Sequence, residues 1–279
     1  MSYMRNAMLK VMIVAFSFVL LIGCSNNQTD DNPSSDSAEE SVESNEVTFY
    51  IVRHGKTMLN TTDRVQGWSD AVLTPAGEDV VRSAGKGLKD TEFTAAYSSD
   101  SGRAIQTANI ILEENEKFSD LELETDERLR EFNFGTYEGD LNETMWTDIA
   151  ESQGKTLEEW FEEGFTPEAF ANSVAELDKE IVKDEDVNWP AEDYETITQR
   201  LNDSINEIAE KESEKNGGNV LVVSHGLSIS ALLDTLFEDA DIPSGGLDNA
   251  SVSIVKYKDG EFSLGEINDL SYVEEGEKQ

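Results

Sequence analysis

The chain contains two histidines, and both stand in the same local setting. Val47 to Val52 is an apolar run rich in β-branched and aromatic residues, bounded by polar sequence, which is how a buried strand reads. It empties directly into Arg53-His54-Gly55. Asn219 to Val223 has the same character and empties into Ser224-His225-Gly226. A buried strand ending in a polar, Gly-containing turn presents its side chains at the carboxyl edge of a sheet, where open α/β folds bind ligands. The two junctions are expected to meet, and the rest of the chain to be arranged around that meeting.

Helical and strand signals alternate between them. Thr74-Pro75 starts a helix, with a cap residue before a proline at the first helical position, running to about Lys89. Phe93 to Ser98 reads as a short strand. Asp100 can cap the next helix, Ser101 to about Glu114, whose first turn holds Arg103 and offers free N–H groups to an anion. A short strand is expected at Leu121 to Leu123. Asp126 to Asp140 reads as an ordered loop turning at Gly135 and Gly139. Glu192 to Lys215 is a helix ending at Gly217-Gly218, and Leu227 to Phe237 follows the second strand as another. Ser251 to Tyr257 and Glu261 to Leu264 form a hairpin turning at Asp259-Gly260. This order implies an α/β domain, a three-layer sandwich with a mostly parallel central sheet. The 234 residues from Glu46 to Gln279 suffice for one such domain. Within it, Leu141 to Pro190 is a long, acidic, Trp- and Phe-bearing excursion, expected to be helical and to lie over the site as a lid insertion.

The first 45 residues differ from the rest. Met1 to Gly23 has a basic start at Arg5 and Lys10, then twelve residues, Val11 to Ile22, with only Ser17 polar. As helix these span about 18 Å, short of the ~30 Å hydrocarbon core of a bilayer, so the segment reads as a signal peptide. Residues 24–45 are Ser, Asn, Asp and Glu with almost nothing apolar, a disordered acidic tether. Cys24 is the only cysteine, so no internal disulfide is possible.

The formal charge is -38. A surface so acidic disfavours nucleic acid and anionic lipid headgroups as partners. Yet six of the seven arginines after the signal fall between Arg53 and Arg130. A local positive site in an acidic protein suits an anionic substrate.

Beyond the two junctions, the ordered residues Arg53-His54-Gly55-Lys56-Thr57, Asn60, Gln66-Gly67, Asp70, Leu73-Thr74, Gly77, Ser98-Ser99, Arg103-Ala104, Gln106-Thr107, Leu129-Arg130-Glu131, Phe134-Gly135, Glu138-Gly139 and His225-Gly226 resemble the histidine phosphatase superfamily, the phosphoglycerate-mutase-like proteins. Leu21-Ile22-Gly23-Cys24 likewise resembles the lipobox of bacterial lipoproteins, which implies lipidation of Cys24. The protein would then be anchored to the membrane by lipid, at its extracytoplasmic face.

The resemblance implies a small phosphorylated substrate and a phosphohistidine intermediate on His54. Neutral imidazole can attack phosphorus, and the transferred phosphoryl group is stabilised chiefly by positive charge and placement. Arg53, Arg103 and His225 are expected to do both, with Asn60, Gln66, Gly67 and Gly226 as further substrate contacts. Gln66-Gly67 could equally be a structural turn, and Thr57 and Arg64 could serve either way. Glu131 is the expected general acid, which a carboxyl beside bound phosphate can become; Glu127 and Glu138 are its neighbours in sequence. No cofactor and no metal site are implied. Two departures stand out. Pro190-Ala191-Glu192-Asp193-Tyr194 lacks the glycine and serine that family members carry before the helix bearing Arg200. Leu227 stands where mutases carry a polar amide, which favours hydrolysis. Phosphomonoester hydrolysis is therefore expected, with phosphoglycerate mutation or silent binding of a phosphorylated ligand as alternatives.

Overall fold

The architecture is an α/β sandwich, in a computed structural model that describes residues 45–115, 117, 121–181, 189–243 and 245–279. The signal-like segment, Cys24 and all of the tether except Asn45 lie outside these residues. In chain order the elements are β1 (Val47–Arg53), α1 (Met58–Thr61), α2 (Pro75–Gly87), β2 (Phe93–Ser98), α3 (Gly102–Glu114) and β3 (Leu123–Thr125). The excursion supplies α4 (Asn142–Ser152), α5 (Leu157–Glu163) and α6 (Pro167–Ile181). Then come α7 (Tyr194–Glu214), β4 (Gly218–Ser224), α8 (Gly226–Leu236), β5 (Val252–Lys258), β6 (Glu261–Leu264) and α9 (Ser271–Gly276).

The six strands form one sheet in the order β3-β2-β4-β1-β5-β6. Strands β3, β2, β4 and β1 run parallel, while β5 pairs antiparallel with β1 and β6 with β5. Central strands buried on both faces read as near-continuous apolar runs, and β1 from Phe49 to Val52 and β4 from Val220 to Val223 do so. Phe49 and Ile51 point with Val220 and Val222 into one core, against Ile197, Leu201 and other residues of α7 and α8. Val52, Leu221 and Val223 point into the other, against α2, α3 and α9. Those two cores are the two interfaces of a three-layer sandwich.

Local signals explain most boundaries. Thr74 caps α2, its hydroxyl accepting the Gly77 N–H at 3.0 Å with proline at the first position. The β5–β6 turn is Asp259-Gly260, both at positive φ, the backbone a tight hairpin needs. Two expectations shift. Asp100 does not cap α3, because its carboxylate pairs with Arg130. The short strand is Leu123–Thr125, because Leu123 is the residue that registers with Ala96 of β2. Helix α9, absent from the sequence reading, is held by contact with α2: a Cβ on Gly276 would stand 1.8 Å from the Ser83 carbonyl oxygen.

In its described residues the excursion is largely helical, as expected, and it is pinned to the loop that follows β3. The buried Asp178 of α6 accepts the Thr136 N–H at 2.8 Å through one oxygen and the Ala191 N–H at 2.8 Å through the other.

Candidate active site

Register places the two junctions side by side. In the parallel β1–β4 ladder Arg53 is opposite Ser224, so His54 and His225 are the next residues along, both leaving the carboxyl edge. Their ring centroids are 5.2 Å apart. Strand β2 ends one position earlier, Ser98 opposite Val223, and turns through Ser99 into α3, which brings Arg103 to the same edge. The meeting inferred from sequence is thus a consequence of strand order β2-β4-β1 at a switch point of the sheet.

The backbone around His54 is held on three sides. Its N–H donates to the Ser224 carbonyl at 3.0 Å, its carbonyl accepts from Asn249 Nδ2 at 2.8 Å, and the Gly55 N–H donates to Thr107 Oγ1 at 3.0 Å. His54 Nδ1 lies 2.8 Å from the Gly55 carbonyl oxygen. A carbonyl only accepts, so Nδ1 carries the hydrogen and Nε2 keeps its lone pair, the tautomer a nucleophile requires. Burial, followed by the charges of Arg103 and Arg53, pushes His54 well below its ordinary 6.5. Burial, then Arg103 and His54, does the same to His225. Both rings are therefore neutral at pH 7.

These shifts predict a pH behaviour. With two histidines in the chain, ring 15N spectra resolve each one, and neither should titrate as the pH falls from 8 to 5.5. The unfolded chain takes up these protons near pH 6.5 and the folded chain does not. Stability from this source is therefore complete above about pH 6.5 and declines as the pH drops below it. A midpoint near 6.5 for either ring in the folded protein contradicts the assignment.

Unpartnered buried polar atoms gather here. Among the described residues the buried side-chain atoms without a hydrogen-bond partner include Arg53 Nε, Arg103 Nε, Gln66 Nε2 and both ring nitrogens of His225. Buried polar groups are normally satisfied. A cluster of orphaned donors beside a neutral imidazole suits an anion with several acceptor oxygens.

Both arginines are held by backbone carbonyls. Arg103 is fully buried. Its Nη2 donates to the Gly67 carbonyl at 2.7 Å, and its Nη1 to the Ser69 carbonyl at 3.1 Å and Asp70 Oδ1 at 2.9 Å. Arg53 Nη1 is spent on the Leu247 carbonyl. Arg103 is thus clamped by both outer nitrogens and Arg53 by Nη1, and each keeps Nε for the site. Gly226 permits this for Arg53, since a Cβ there would stand 3.1 Å from Arg53 Nε. The first turn of α3 is not open to an anion either: Asp70 Oδ2 accepts the Gly102 N–H at 2.7 Å.

Gly67 resolves as structural. Its N–H donates to Glu138 at 3.1 Å and its carbonyl holds Arg103, so neither backbone group is left for a substrate. A Cβ there would meet the Phe132 carbonyl oxygen at 2.0 Å. Gln66 turns its Oε1 to the Thr57 hydroxyl at 2.5 Å and keeps Nε2. Asn60 spends Oδ1 on the Thr57 N–H at 3.1 Å. Of the six arginines expected to mark a positive site, three are elsewhere: Arg82 pairs with Glu114, Arg128 with Asp126 and Glu207, and Arg130 with Asp100.

Glu131 lies across the site at the start of α8. Its Oε1 accepts from the Phe132 and Ser228 N–H groups at 3.1 and 2.9 Å and lies 2.9 Å from Ser228 Oγ. Its Oε2 accepts only the Leu227 N–H, at 3.1 Å. Glu131 also lines a cavity of about 310 Å³ shared with Arg53, Asn60, Arg64, Gln66 and Gly226. Glu138, its neighbour in sequence, is instead occupied, accepting the N–H groups of Gly67, Trp68, Ser69 and Phe134. That carboxylate shapes the turn whose carbonyls hold Arg103.

Arg200 is a further part of the machinery, placed by the fold alone. Its Nη1 donates to the Arg128 and Arg130 carbonyls at 2.8 and 2.7 Å, and its Nη2 to the Glu131 carbonyl at 2.9 Å. Glu192 grips it through two 2.8 Å bonds and also accepts the Asn133 N–H at 3.0 Å. Arg200 therefore sets the loop that carries Glu131, a role open to it without the missing glycine and serine.

Comparison with known proteins agrees with this geometry. Residues 49–270 match the family model of the histidine phosphatase superfamily (branch 1). The chain is 32% identical over 214 residues to the "Probable fructose-2,6-bisphosphatase TIGAR A" of Danio rerio, covering 72% of this chain and 80% of that protein. It is 31% identical over 224 residues to the 2,3-bisphosphoglycerate-dependent phosphoglycerate mutase of Cytophaga hutchinsonii, covering 80% and 92%. The crystal structure of a phosphoglycerate mutase from Bacillus anthracis str. Sterne superposes with a TM-score of 0.76 at 40% identity, covering 84% of this chain and 98% of that one. Phosphatases and mutases thus both stand among its relatives, and the protein that places these two histidines and arginines on one sheet edge belongs to the histidine phosphatase superfamily.

Proposed function

We propose that the protein hydrolyses phosphomonoesters through a phosphohistidine on His54, without a metal. The observation that carries the reading is the neutral His54 ring, its Nδ1–H fixed on Gly55, set among the orphaned donors of Arg53, Arg103, Gln66 and His225. His54 Nε2 attacks phosphorus, and the P–O bond to the alcohol breaks. Glu131 gives the departing oxygen its proton, from Oε2, the carboxyl oxygen with the single amide donor. Water then attacks the phosphohistidine, losing its proton to Glu131, and inorganic phosphate leaves with His54 restored. The arginines and His225 act on charge at the equatorial oxygens.

Hydrolysis is favoured over phosphoryl return to a sugar acid by the charge of the cavity. Among the described residues its cationic lining is Arg53 and Arg64, and Arg64 Nη1 already donates to the Gly139 carbonyl at 2.7 Å. A bisphosphorylated acid would need more. Leu227 also lines the cavity where a mutase would carry an amide. The 40% identity to a phosphoglycerate mutase supports the second reading.

One experiment separates them. Purified protein with chelator should release phosphate from aryl and alkyl monoesters, and should isomerise phosphoglycerate slowly even when primed with bisphosphoglycerate. A mutase-to-phosphatase turnover ratio well above one overturns the proposal. Within the same assay Glu131→Gln should slow alkyl esters about 10²-fold or more, and aryl esters with good leaving groups far less, because an acid matters most for a poor leaving group. Equal losses would make Glu131 a positioning residue.

The sequence also supports a place for the reaction. Lipidation at Cys24 would hold the domain at the outer face of the cell membrane, since two acyl chains bind stably where one binds reversibly. Cys24→Ser should move the protein from the membrane fraction to the soluble one, and unchanged retention refutes the anchor.

A further inference from the structure

Resting on the hydrolytic reading, we infer that the alcohol this enzyme releases is apolar, of aromatic or branched aliphatic type, and that the α4–α6 excursion selects it. The cavity has polar lining at Arg53, Asn60, Arg64, Gln66, Glu131 and Asn142, and the phosphoryl group belongs beside Arg53, Gln66 and Glu131. Its walls are different. Met145 and Trp146 of α4, Phe170 of α6, Phe134, Leu227 and Leu247 all line it. Leu227 donates its N–H to Glu131 Oε2, so the residue beside the acid, and thus beside the leaving oxygen, is an apolar one.

Several of the polar groups that line the cavity are already engaged. Ser230 Oγ donates to the Gly226 carbonyl at 2.9 Å, Gln66 Oε1 accepts from Thr57, and Arg64 Nη1 is on Gly139. A carboxylate set against Met145, Phe170 and Leu227 would meet apolar surface, an expensive placement. An apolar skeleton would gain from the same surfaces at about 25 cal/mol per Å² buried.

The wall is also preorganised. Phe170 contacts Phe134 and Phe165 at centroid distances of 6.0 and 5.3 Å, Phe165 stacks on Trp160 at 4.5 Å, and Phe161 bridges Trp160 and Trp146 at 5.0 and 5.3 Å. A wall built into such an array loses little entropy when a ligand packs on it. The 310 Å³ volume exceeds the ~150 Å³ that holds one benzene ring. It has room for a phosphoryl group and a one- or two-ring alcohol.

The test is a series of esters assayed as kcat/KM. Two pairs isolate apolar size: phenyl with 2-naphthyl phosphate, and ethyl with longer n-alkyl phosphates. Glycerol phosphate and 3-phosphoglycerate serve as polar and charged comparators. We expect 2-naphthyl phosphate to exceed phenyl phosphate by about tenfold, and alkyl esters to gain about fourfold per methylene over the first few carbons. In Trp146→Ala the naphthyl-to-phenyl ratio should fall several-fold, and a ratio taken within one variant cancels losses from folding. In Leu227→Asn the preference should shift toward 3-phosphoglycerate. Hydrolysis with no rise along the apolar series, or with 3-phosphoglycerate preferred by the unaltered protein, overturns the inference while leaving the hydrolase intact. Absence of hydrolysis for every ester removes both.

Discussion

His54→Ala should abolish turnover, with kcat falling on the order of 10⁵-fold or more, because a covalent nucleophile is lost and not merely weakened. In the unaltered protein, a reaction quenched within milliseconds and denatured should carry an acid-labile, base-stable phosphate on His54. The geometry makes this the largest single effect to be expected. The His54 backbone is bound at its N–H and carbonyl, the next N–H is held by Thr107, and the ring itself is held by the Gly55 carbonyl. Its tautomer is set by Gly55, and its charge is suppressed by burial and by Arg103 and Arg53. The Arg103 and Arg53 charges, which add to burial in keeping the ring neutral, also stabilise the phosphoryl group it receives. His225 is the natural comparison. It has no partner at either ring nitrogen and lies at the N-terminus of α8. His225→Ala should cost about 10² to 10³ in rate by removing a donor, while leaving the label on His54 detectable. A label on any other residue, or near-normal turnover in His54→Ala, sinks the assignment.

The second large effect is at Arg103. Arg103→Ala should lower kcat/KM by roughly 10³-fold or more, the scale of a cation aimed at charge that builds in the transition state. It should also cost stability, since the Gly67 and Ser69 carbonyls and Asp70 lose their donor. That cost is about 2 to 4 kcal/mol, discounted because Asp70 is partly exposed. A domain of this size holds about 5 to 15 kcal/mol in reserve, so the variant should fold and the rate loss can be read as catalytic. Arg103→Lys separates charge from shape. Lysine keeps the charge but has no Nε–H to aim at the site while its terminus reaches Gly67 and Asp70. It should therefore recover stability more than rate. If Arg103→Lys restores both, point charge alone suffices. If Arg103→Ala loses stability without loss in kcat/KM for the molecules that remain folded, Arg103 is structural.

Much of this was legible in the residues themselves. The two apolar runs ending in His-Gly declared central parallel strands and where their ends would lie. Thr74-Pro75 and Asp259-Gly260 fixed a helix start and a hairpin turn through backbone preferences that need no partner. The site list of Arg53, His54, Arg103, Glu131 and His225 came from motif order, and the fold brings all five to one edge. These features share a property: each is set by the few residues around it or by a spacing the chain displays openly.

What the sequence could not state is how each group is held. Nothing near Arg103 announces that its fork is taken by a turn more than thirty positions earlier, or that Asp70 of that turn occupies the first N–H of α3. Nothing near Glu138 marks it as the carboxylate that collects four amides and builds the same turn. Arg200 bonds to carbonyls some seventy residues away, and α9 exists because two backbones approach where glycines leave room. Such bonds join segments distant along the chain, and carbonyl acceptors are the same on every residue, so no pattern of side chains can specify them. The sequence by itself determined which residues could do chemistry and which strands would carry them. Only the tertiary structure decided which hydrogen-bonding atoms each residue keeps for the substrate, because that depends on which atoms the surrounding loops have already satisfied.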